Sequence, residues 1–232
     1  MLDQALEALK TYDWGSDLAP VKAIDEAILS SADDGAARSE LEKALAAVLD
    51  SDASRDAKDV VCRRLMQIGT AACVPALAKC LTDENLSHMA RYALERIQAP
   101  EAAKSLRDAL DSVSGNLKVG VIGSLGARKD ADSAAQLAPL LGDSDTKVAR
   151  AAAIALGDIQ TVTAAKALGT AKPSDESVKI AAVDGSLACA EAMLAEGNKG
   201  EAMKLYKGLL ANSPAKHVKL AVTRGMLACA GK

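Results

Sequence analysis

Residues 148–157 read Val-Ala-Arg-Ala-Ala-Ala-Ile-Ala-Leu-Gly, and this stretch decides the fold. Apolar residues four and eight positions apart, such as Val148, Ala152 and Leu156, face the same side of an α-helix. The pattern recurs along the chain: an aliphatic residue, a nearby basic residue, a small residue and a second aliphatic residue. Further copies begin at Ala57, Leu86, Leu117, Val178 and Val218. Their spacing of about 30 residues, with a last step about ten residues longer, indicates a repeat architecture.

A second apolar helix is predicted before most copies. These helices cover residues 41–49, 74–81, 103–110, 134–141 and 163–171, and an amphipathic helix covers residues 2–10. Polar turns such as Gly-Asp-Ser-Asp at 142–145 separate the helices of a pair, because such residues end one helix and begin the next. One pair of this size cannot bury its apolar face alone, whereas stacked pairs share a core. We therefore predict an all-α fold, a right-handed α-α superhelix (solenoid) of about six helical hairpin repeats, with residues 1–232 as a single domain.

Composition narrows the possible functions. Half of the 232 residues are hydrophobic and a quarter are charged, which is typical of a folded chain. The formal net charge is −3, so we do not expect a nucleic-acid binder, which needs a basic surface. No stretch approaches the ~20 apolar residues of a membrane span. The charged residues within 1–20 also argue against a signal peptide.

Cysteines and histidines are the candidate metal or catalytic residues. They are Cys62, Cys73, Cys80, Cys189, Cys229, His88 and His217. No two cysteines form a C-x-x-C pair and the histidines lie far apart, so we expect no metal, no cofactor, and cysteines that act as small buried hydrophobes. Unpaired thiols favour a reducing, cytoplasmic compartment, although the compartment is left open. Nucleophilic catalysis needs a nucleophile, a base and an orienting group, and we expect both histidines to be exposed instead, so the protein is not expected to be an enzyme.

The pattern at 148–157 resembles the second helix of a HEAT repeat, specifically the short HEAT-like repeats of phycobilisome-lyase-type proteins. The resemblance covers 41–232, with short HEAT-like repeats over 41–187 and a degenerate N-terminal repeat over 1–40. Residues 188–232 are similar to a tetratricopeptide repeat, which implies a longer hairpin and a terminal helix there. The similar positions are Gly197, Ala202, Tyr206 and Pro214. Mixtures of this kind resemble bacterial HEAT-like proteins, often as one part of a longer exported chain.

Basic residues accompany the repeats at Lys58, Lys118, Arg150, Lys179 and Lys219. The resemblance implies that each reaches an acid in the turn of a neighbouring repeat, such as Asp83 or Asp175. In a second interpretation the same row faces a concave groove and binds an acidic partner. The resemblance implies a scaffold, so the predicted function is non-catalytic binding of a protein or peptide on the concave face of second helices. Helical register places Lys58, Arg63, His88, Arg91, Lys118, Lys147, Arg150 and Lys179 on that face.

Two alternative functions stay open on the sequence. The repeat type implies a phycobilin lyase or isomerase-like subunit acting on a tetrapyrrole-carrying protein, although three tyrosines and one tryptophan are few aromatics for holding a pigment. A solenoid that reads damaged DNA would need a basic concave stripe, which the net charge disfavours. The sequence also ends directly after an apolar second helix, whereas solenoids normally end in a polar-faced cap. We therefore expect either flanking domains of a longer chain or self-association at this end.

Overall fold

Helices are the only regular structure in the part of the chain that the computed structural model describes, residues 2–212 and 215–231. This confirms the predicted all-α solenoid fold. The chain divides into two compact units, of which the first ends at Val113 and the second begins at Ser114. The division of one continuous solenoid into 1–40, 41–187 and 188–232 stays a prediction, and Pro214 lies outside the described residues.

The first unit is a stack of three helical hairpins followed by one more helix. Its helices are α1 (Leu2–Leu9), α2 (Ala19–Ser30), α3 (Gly35–Leu49), α4 (Arg55–Ile68), α5 (Val74–Lys79), α6 (Ser87–Arg96) and α7 (Pro100–Ala109). A short 3-10 turn, Cys80–Thr82, extends α5. Helix α3 packs against α5 and α5 against α7, while α4 packs against α6. The first helices of successive hairpins therefore stack on one another, and the second helices do the same, as in a solenoid.

The second unit begins with one single helix, which is followed by three helical hairpins. Its helices are α8 (Gly115–Ala127), α9 (Ala134–Leu137), α10 (Thr146–Ile159), α11 (Val162–Thr170), α12 (Glu176–Ala195), α13 (Lys199–Asn212) and α14 (Lys216–Cys229). A 3-10 segment, Ala138–Gly142, extends the short α9. The second helices α8, α10 and α12 pack side by side, and α11 contacts both α9 and α13. Three hairpins in each unit agree with the predicted number of about six.

Aspartate and hydroxyl side chains fix where several helices begin. Asp175 Oδ1 accepts hydrogen bonds from the backbone N–H of Ser177 (2.9 Å) and Val178 (3.2 Å) at the start of α12. Asp145 accepts from the N–H of Lys147 at the start of α10 (2.9 Å). These bonds satisfy N–H groups that have no partner inside the helix. The polar turns predicted from the sequence therefore work as helix caps.

Small residues set the distance between the second helices of the second unit. The aliphatic and small repeat positions, including Val148, Ala152 and Leu156, are buried as predicted. A Cβ atom added to Gly157 would lie 2.6 Å from the Cα atom of Gly185, so α10 and α12 touch backbone to backbone at this point. Alanine and glycine allow this approach because they place little or no side chain between the helices.

Glu42 is one of two carboxylates buried in the first unit, the other being Asp59. Glu42 of α3 is 2% exposed, and its Oε1 accepts hydrogen bonds from the backbone N–H groups of Thr70 (2.7 Å) and Cys73 (3.1 Å). The Thr70 hydroxyl donates to the same carboxylate (3.0 Å). Glu42 thus ties α3 to the turn before α5. Burial of Glu42 was not predictable from spacing alone, because glutamate is seldom fully buried without such partners.

Candidate binding surface on the second helices

The basic residues predicted for the first unit lie on its second helices. Lys58 and Arg63 are on α4, and His88 and Arg91 are on α6. The Arg63 Nε atom contacts the nearly buried carboxylate of Asp59 one turn away, at 3.1 and 3.2 Å. Arg91 Nη2 lies 3.5 Å from His88 Nδ1, and burial lowers the pKa of the Arg91 guanidinium.

The residues predicted for the second unit are spread over three helices. Lys118 is on α8, Lys147 and Arg150 are on α10, and Lys179 is on α12. Lys179 pairs with Glu176 of its own helix at 3.4 Å, and both side chains are exposed. Of these four residues only Arg150 lines the groove described below.

The predicted pairing of basic residues with turn acids of neighbouring repeats is wrong. Within residues 2–212 and 215–231, Lys58, Lys118, Arg150 and Lys219 form no ion pair. The turn acids instead accept hydrogen bonds from the backbone of their own turn or helix, as Asp175 does. Hairpins of the first unit are joined by other pairs. Arg64 binds Asp25 through two bonds of 2.9 Å, and Lys79 binds Asp50 at 2.8 Å.

An open groove of about 350 Å³ runs between α10 and α12. Its walls combine aliphatic, small and charged side chains of these two second helices. They are Arg150, Ile154, Gly157, Asp158, Gln160, Ser177, Ile180, Ala181, Asp184, Gly185 and Ala188. Ile154 is 41% exposed and Ile180 is 56% exposed, although both are large aliphatic residues. Most of the other repeat positions on α10 and α12 are buried, so the two isoleucines form an outward-facing apolar strip.

Glycine forms the bottom of this groove. Gly157 and Gly185 both line it, and they are the residues at which the two helix backbones touch. A side chain at either position would push the two helices apart, whereas glycine places no side-chain atom between them. The groove is therefore built into the helix packing and does not depend on a flexible loop.

Three charged groups border the groove without an intramolecular partner. Arg150, Asp158 and Asp184 form neither an ion pair nor a side-chain hydrogen bond within the described part of the chain. Arg150, Ile154 and Asp158 follow one another at intervals of four residues, so all three face the same side of α10. The strip is consequently apolar in the middle, cationic at one end and anionic at the other.

A larger crevice of about 700 Å³ lies between α12, α13 and the segment before α12. Its apolar walls include Leu168 and Leu209, which are buried core residues. Lys172 and Lys179 stand at its edge. Because this crevice has no exposed large apolar side chain, it resembles a packing gap between hairpins more than a binding surface.

One family profile matches part of the chain. The profile described as HEAT repeats matches residues 109–185, which include all of α8 to α11 and the first half of α12. The chain therefore contains HEAT-like repeats. Both walls of the groove fall largely inside the matched residues. The finer resemblances, to phycobilisome-lyase-type repeats and to a tetratricopeptide repeat near the C-terminus, stay predictions.

Solved structures similar to the HEAT-like protein are distant. An archaeal HEAT-like repeats protein from Thermococcus onnurineus NA1 is 15% identical, with a TM-score of 0.46 over 100% of this chain and 97% of that chain. Human deoxyhypusine hydroxylase in complex with glycerol is 17% identical, with a TM-score of 0.44 over 80% and 95%. An engineered protein is 20% identical, with a TM-score of 0.44 over 91% and 96%. Comparison with curated protein sequences gives no match.

The histidines and cysteines that the sequence singles out differ in their exposure. His88 and His217 are both exposed, as predicted. Four cysteines are buried and Cys229 is half-buried, all as free thiols, which confirms the predicted role of the four as core residues. Burial raises the pKa of the Cys189 thiol to about 11. Across the described ranges, no three His, Cys, Asp or Glu residues are arranged to hold a metal ion.

None of the helices within the described residues combines the length and apolar character that crossing a membrane requires.

The sequence interpretation missed most of the groove residues. It selected cations on the second helices, and therefore found Arg150 but not Ile154, Ile180, Asp158 or Asp184. A usable signal was present in α12, where Val178, Ile180 and Ala182 lie two positions apart and cannot all face the core of one helix. One of them had to be exposed, and the structure shows that it is Ile180.

Proposed function

We propose that this HEAT-like repeat protein is a non-catalytic scaffold that binds a protein or peptide on the face formed by its second helices. The groove between α10 and α12 is the proposed contact site. The observation that carries this proposal is the exposed pair Ile154 and Ile180, bordered by charges that have no partner of their own. Exposed apolar strips with a polar border are typical of interaction sites.

The apolar strip can supply a useful share of a binding energy. Covering an aliphatic side chain that is about half-exposed, as Ile154 and Ile180 are, contributes about 1 kcal/mol, since burying a fully exposed one contributes ~1.5–3 kcal/mol. Two isoleucines together would therefore contribute about 2–3 kcal/mol, a factor of roughly 30 to 150 in affinity. A partner needs further contacts to bind in the micromolar range, and the neighbouring charged side chains can provide them.

An affinity capture with matched variants tests the proposal. The protein is immobilised and exposed to lysate of its source organism, and the captured partner is then purified for calorimetry. The groove variant carries Ile154→Ser and Ile180→Ser. The control carries Val162→Ser, which changes an aliphatic residue of α11 that is 62% exposed and lies outside the groove.

We expect the wild type and the Val162→Ser control to bind the partner with similar affinity and the groove variant to bind at least tenfold more weakly. Equal binding by the groove variant would place the partner elsewhere. A failure to capture any saturable partner would count against the scaffold function itself. The phycobilin lyase or isomerase alternative stays a prediction, since no feature of the groove favours a tetrapyrrole.

A further inference from the structure

The charges of the groove are ordered along its length. On α10, Arg150 and Asp158 are eight residues apart, which is about 12 Å along a helix. Ile154 lies midway between them. On α12, Asp184 follows Ile180 by one turn. Asp158 follows Gly157 and Asp184 precedes Gly185 in the sequence, so both aspartates are direct neighbours of the residues at which the two helices touch. The Oδ2 atom of Asp158 also lies close to Gly126 of α8.

Some exposed cations of the molecule pair with an acid three or four residues away, as in Lys43–Glu40 at 2.7 Å and Lys204–Glu201 at 2.6 Å. Arg150, Asp158 and Asp184 have no such pair within residues 2–212 and 215–231. A bound molecule could therefore pair with them without first breaking an ion pair of the protein.

Charge and length together indicate which segment the groove can bind. Two carboxylates against one guanidinium give the groove a net negative charge, which favours a basic group at its anionic end. An extended chain covers about 13 Å with four residue steps. This length matches the distance of about 12 Å between Arg150 and Asp158 along α10, so five extended residues reach both charged ends.

We propose that the groove binds an extended peptide segment of the form acid-x-aliphatic-x-base. The acid pairs with Arg150, the aliphatic side chain packs on Ile154 and Ile180, and the base lies between Asp158 and Asp184. This inference rests on the proposed function, because it assumes that the α10–α12 groove is the contact site. It adds the chemistry of the segment that the groove prefers.

Fluorescence anisotropy with two short peptides tests the preference. The first probe is a fluorescein-labelled peptide, Gly-Ser-Glu-Thr-Val-Thr-Arg-Ser-Gly, and the second has Gln in place of Arg. Each is titrated with the full chain as wild type, with the variant Asp158→Asn and Asp184→Asn, and with the variant Ile154→Ser and Ile180→Ser. A charge-matched control carries Glu196→Gln and Glu201→Gln, two exposed acids of the second unit outside the groove. Circular dichroism confirms that each variant is folded.

We expect the wild type and the charge-matched control to bind the Arg peptide about five- to tenfold more tightly than the Gln peptide. The Asp158→Asn and Asp184→Asn variant should lose this preference while its affinity for the Gln peptide changes less than twofold. The isoleucine variant should weaken both peptides.

Each contrary result identifies what fails. No preference for Arg in the wild type, no binding of either peptide, or equal loss of both peptides in the asparagine variant would overturn the inferred segment. If the charge-matched control loses the Arg preference as much as the asparagine variant does, the preference reflects the net charge of the protein and not the groove. This result would also overturn the inference. Binding of both peptides that survives the isoleucine substitutions would show that the groove is not the site, and would contradict the proposed function as well.

Discussion

Replacing Gly157 with alanine tests the close contact between α10 and α12. In an exposed helical position this change normally stabilises a protein by about 0.5–1 kcal/mol, because glycine loses more conformational freedom on folding. At Gly157 the new methyl group would lie 2.6 Å from the Cα atom of Gly185. Favourable carbon–carbon contacts are about 3.5–4.0 Å long, so the helices must separate by about 1 Å. The obstacle is backbone, which cannot rotate away.

We expect Gly157→Ala to lower the free energy of unfolding by about 1–3 kcal/mol, the usual cost of overpacking a close contact. The matched control is Gly123→Ala on α8, where an added Cβ atom meets nothing within 4 Å. This control should gain about 0.5–1 kcal/mol. The two substitutions are chemically identical, so the opposite signs isolate the helix contact.

Urea denaturation followed by circular dichroism at 222 nm measures both effects. For a chain of this size, 1 kcal/mol corresponds to about 2–4 °C in the melting temperature, which gives a second readout. The reasoning would be refuted if Gly157→Ala stabilised the protein as much as Gly123→Ala does. The Gly157→Ala methyl group would also partly fill the groove, so we expect weaker peptide binding by this variant.

The remaining predictions concern buried and titratable groups. Glu42→Ala should lower the free energy of unfolding by about 2–4 kcal/mol, because it leaves the buried backbone N–H of Cys73 and the part-buried donors of Thr70 without their acceptor, whereas Glu40→Ala on the exposed face should change the midpoint of urea denaturation little. Hydrogen bonds to the Asp175 carboxylate, of which the one from the Ser177 hydroxyl has the largest effect, hold the pKa of Asp175 below its ordinary value of 3.8. The folded state favours the ionised form of Asp175, so this residue stabilises the protein above pH 3.8, and the contribution is lost as the pH falls through the lowered pKa. The variant Asp175→Asn should therefore be less stable than the wild type at pH 7. The difference between their denaturation midpoints should disappear near pH 2. Of the five thiols, only the half-buried Cys229 should react quickly with a disulfide reagent in the native protein, and rapid reaction of two or more would contradict the burial of the other four.

The repeat architecture was predictable because it depends on local spacing. The interval of about 30 residues and the small residues at four-residue steps are properties of the chain itself, and the predicted helix over 103–110 corresponds to α7, Pro100–Ala109. Boundaries were less accurate where the helix changes type. The helix predicted over 134–141 consists of the four-residue α9 and a 3-10 segment, which Pro139 favours because proline cannot donate the hydrogen bond of a continuing α-helix.

The candidate site was less predictable because it depends on how neighbouring helices are rotated. Spacing alone identifies an apolar face, but it does not say which aliphatic residue of an apolar helix stays exposed, as Ile180 does. The expected partnership of Arg150 with a turn acid failed for a related reason. An acid such as Asp145 at the start of a helix is already used by the backbone N–H of Lys147, so it is no longer the preferred partner of a cation.

Methyl NMR of the protein bound to its captured partner tests the central claim most directly, because it requires no substitution. Isoleucine δ1 methyl groups are labelled with carbon-13, and their resonances are followed while the partner is added. We predict the largest shifts at Ile154 and Ile180, with little change at Ile24 and Ile28, which are buried in the first unit. Shifts centred on the first unit, with Ile154 and Ile180 unaffected, would contradict binding at the α10–α12 groove.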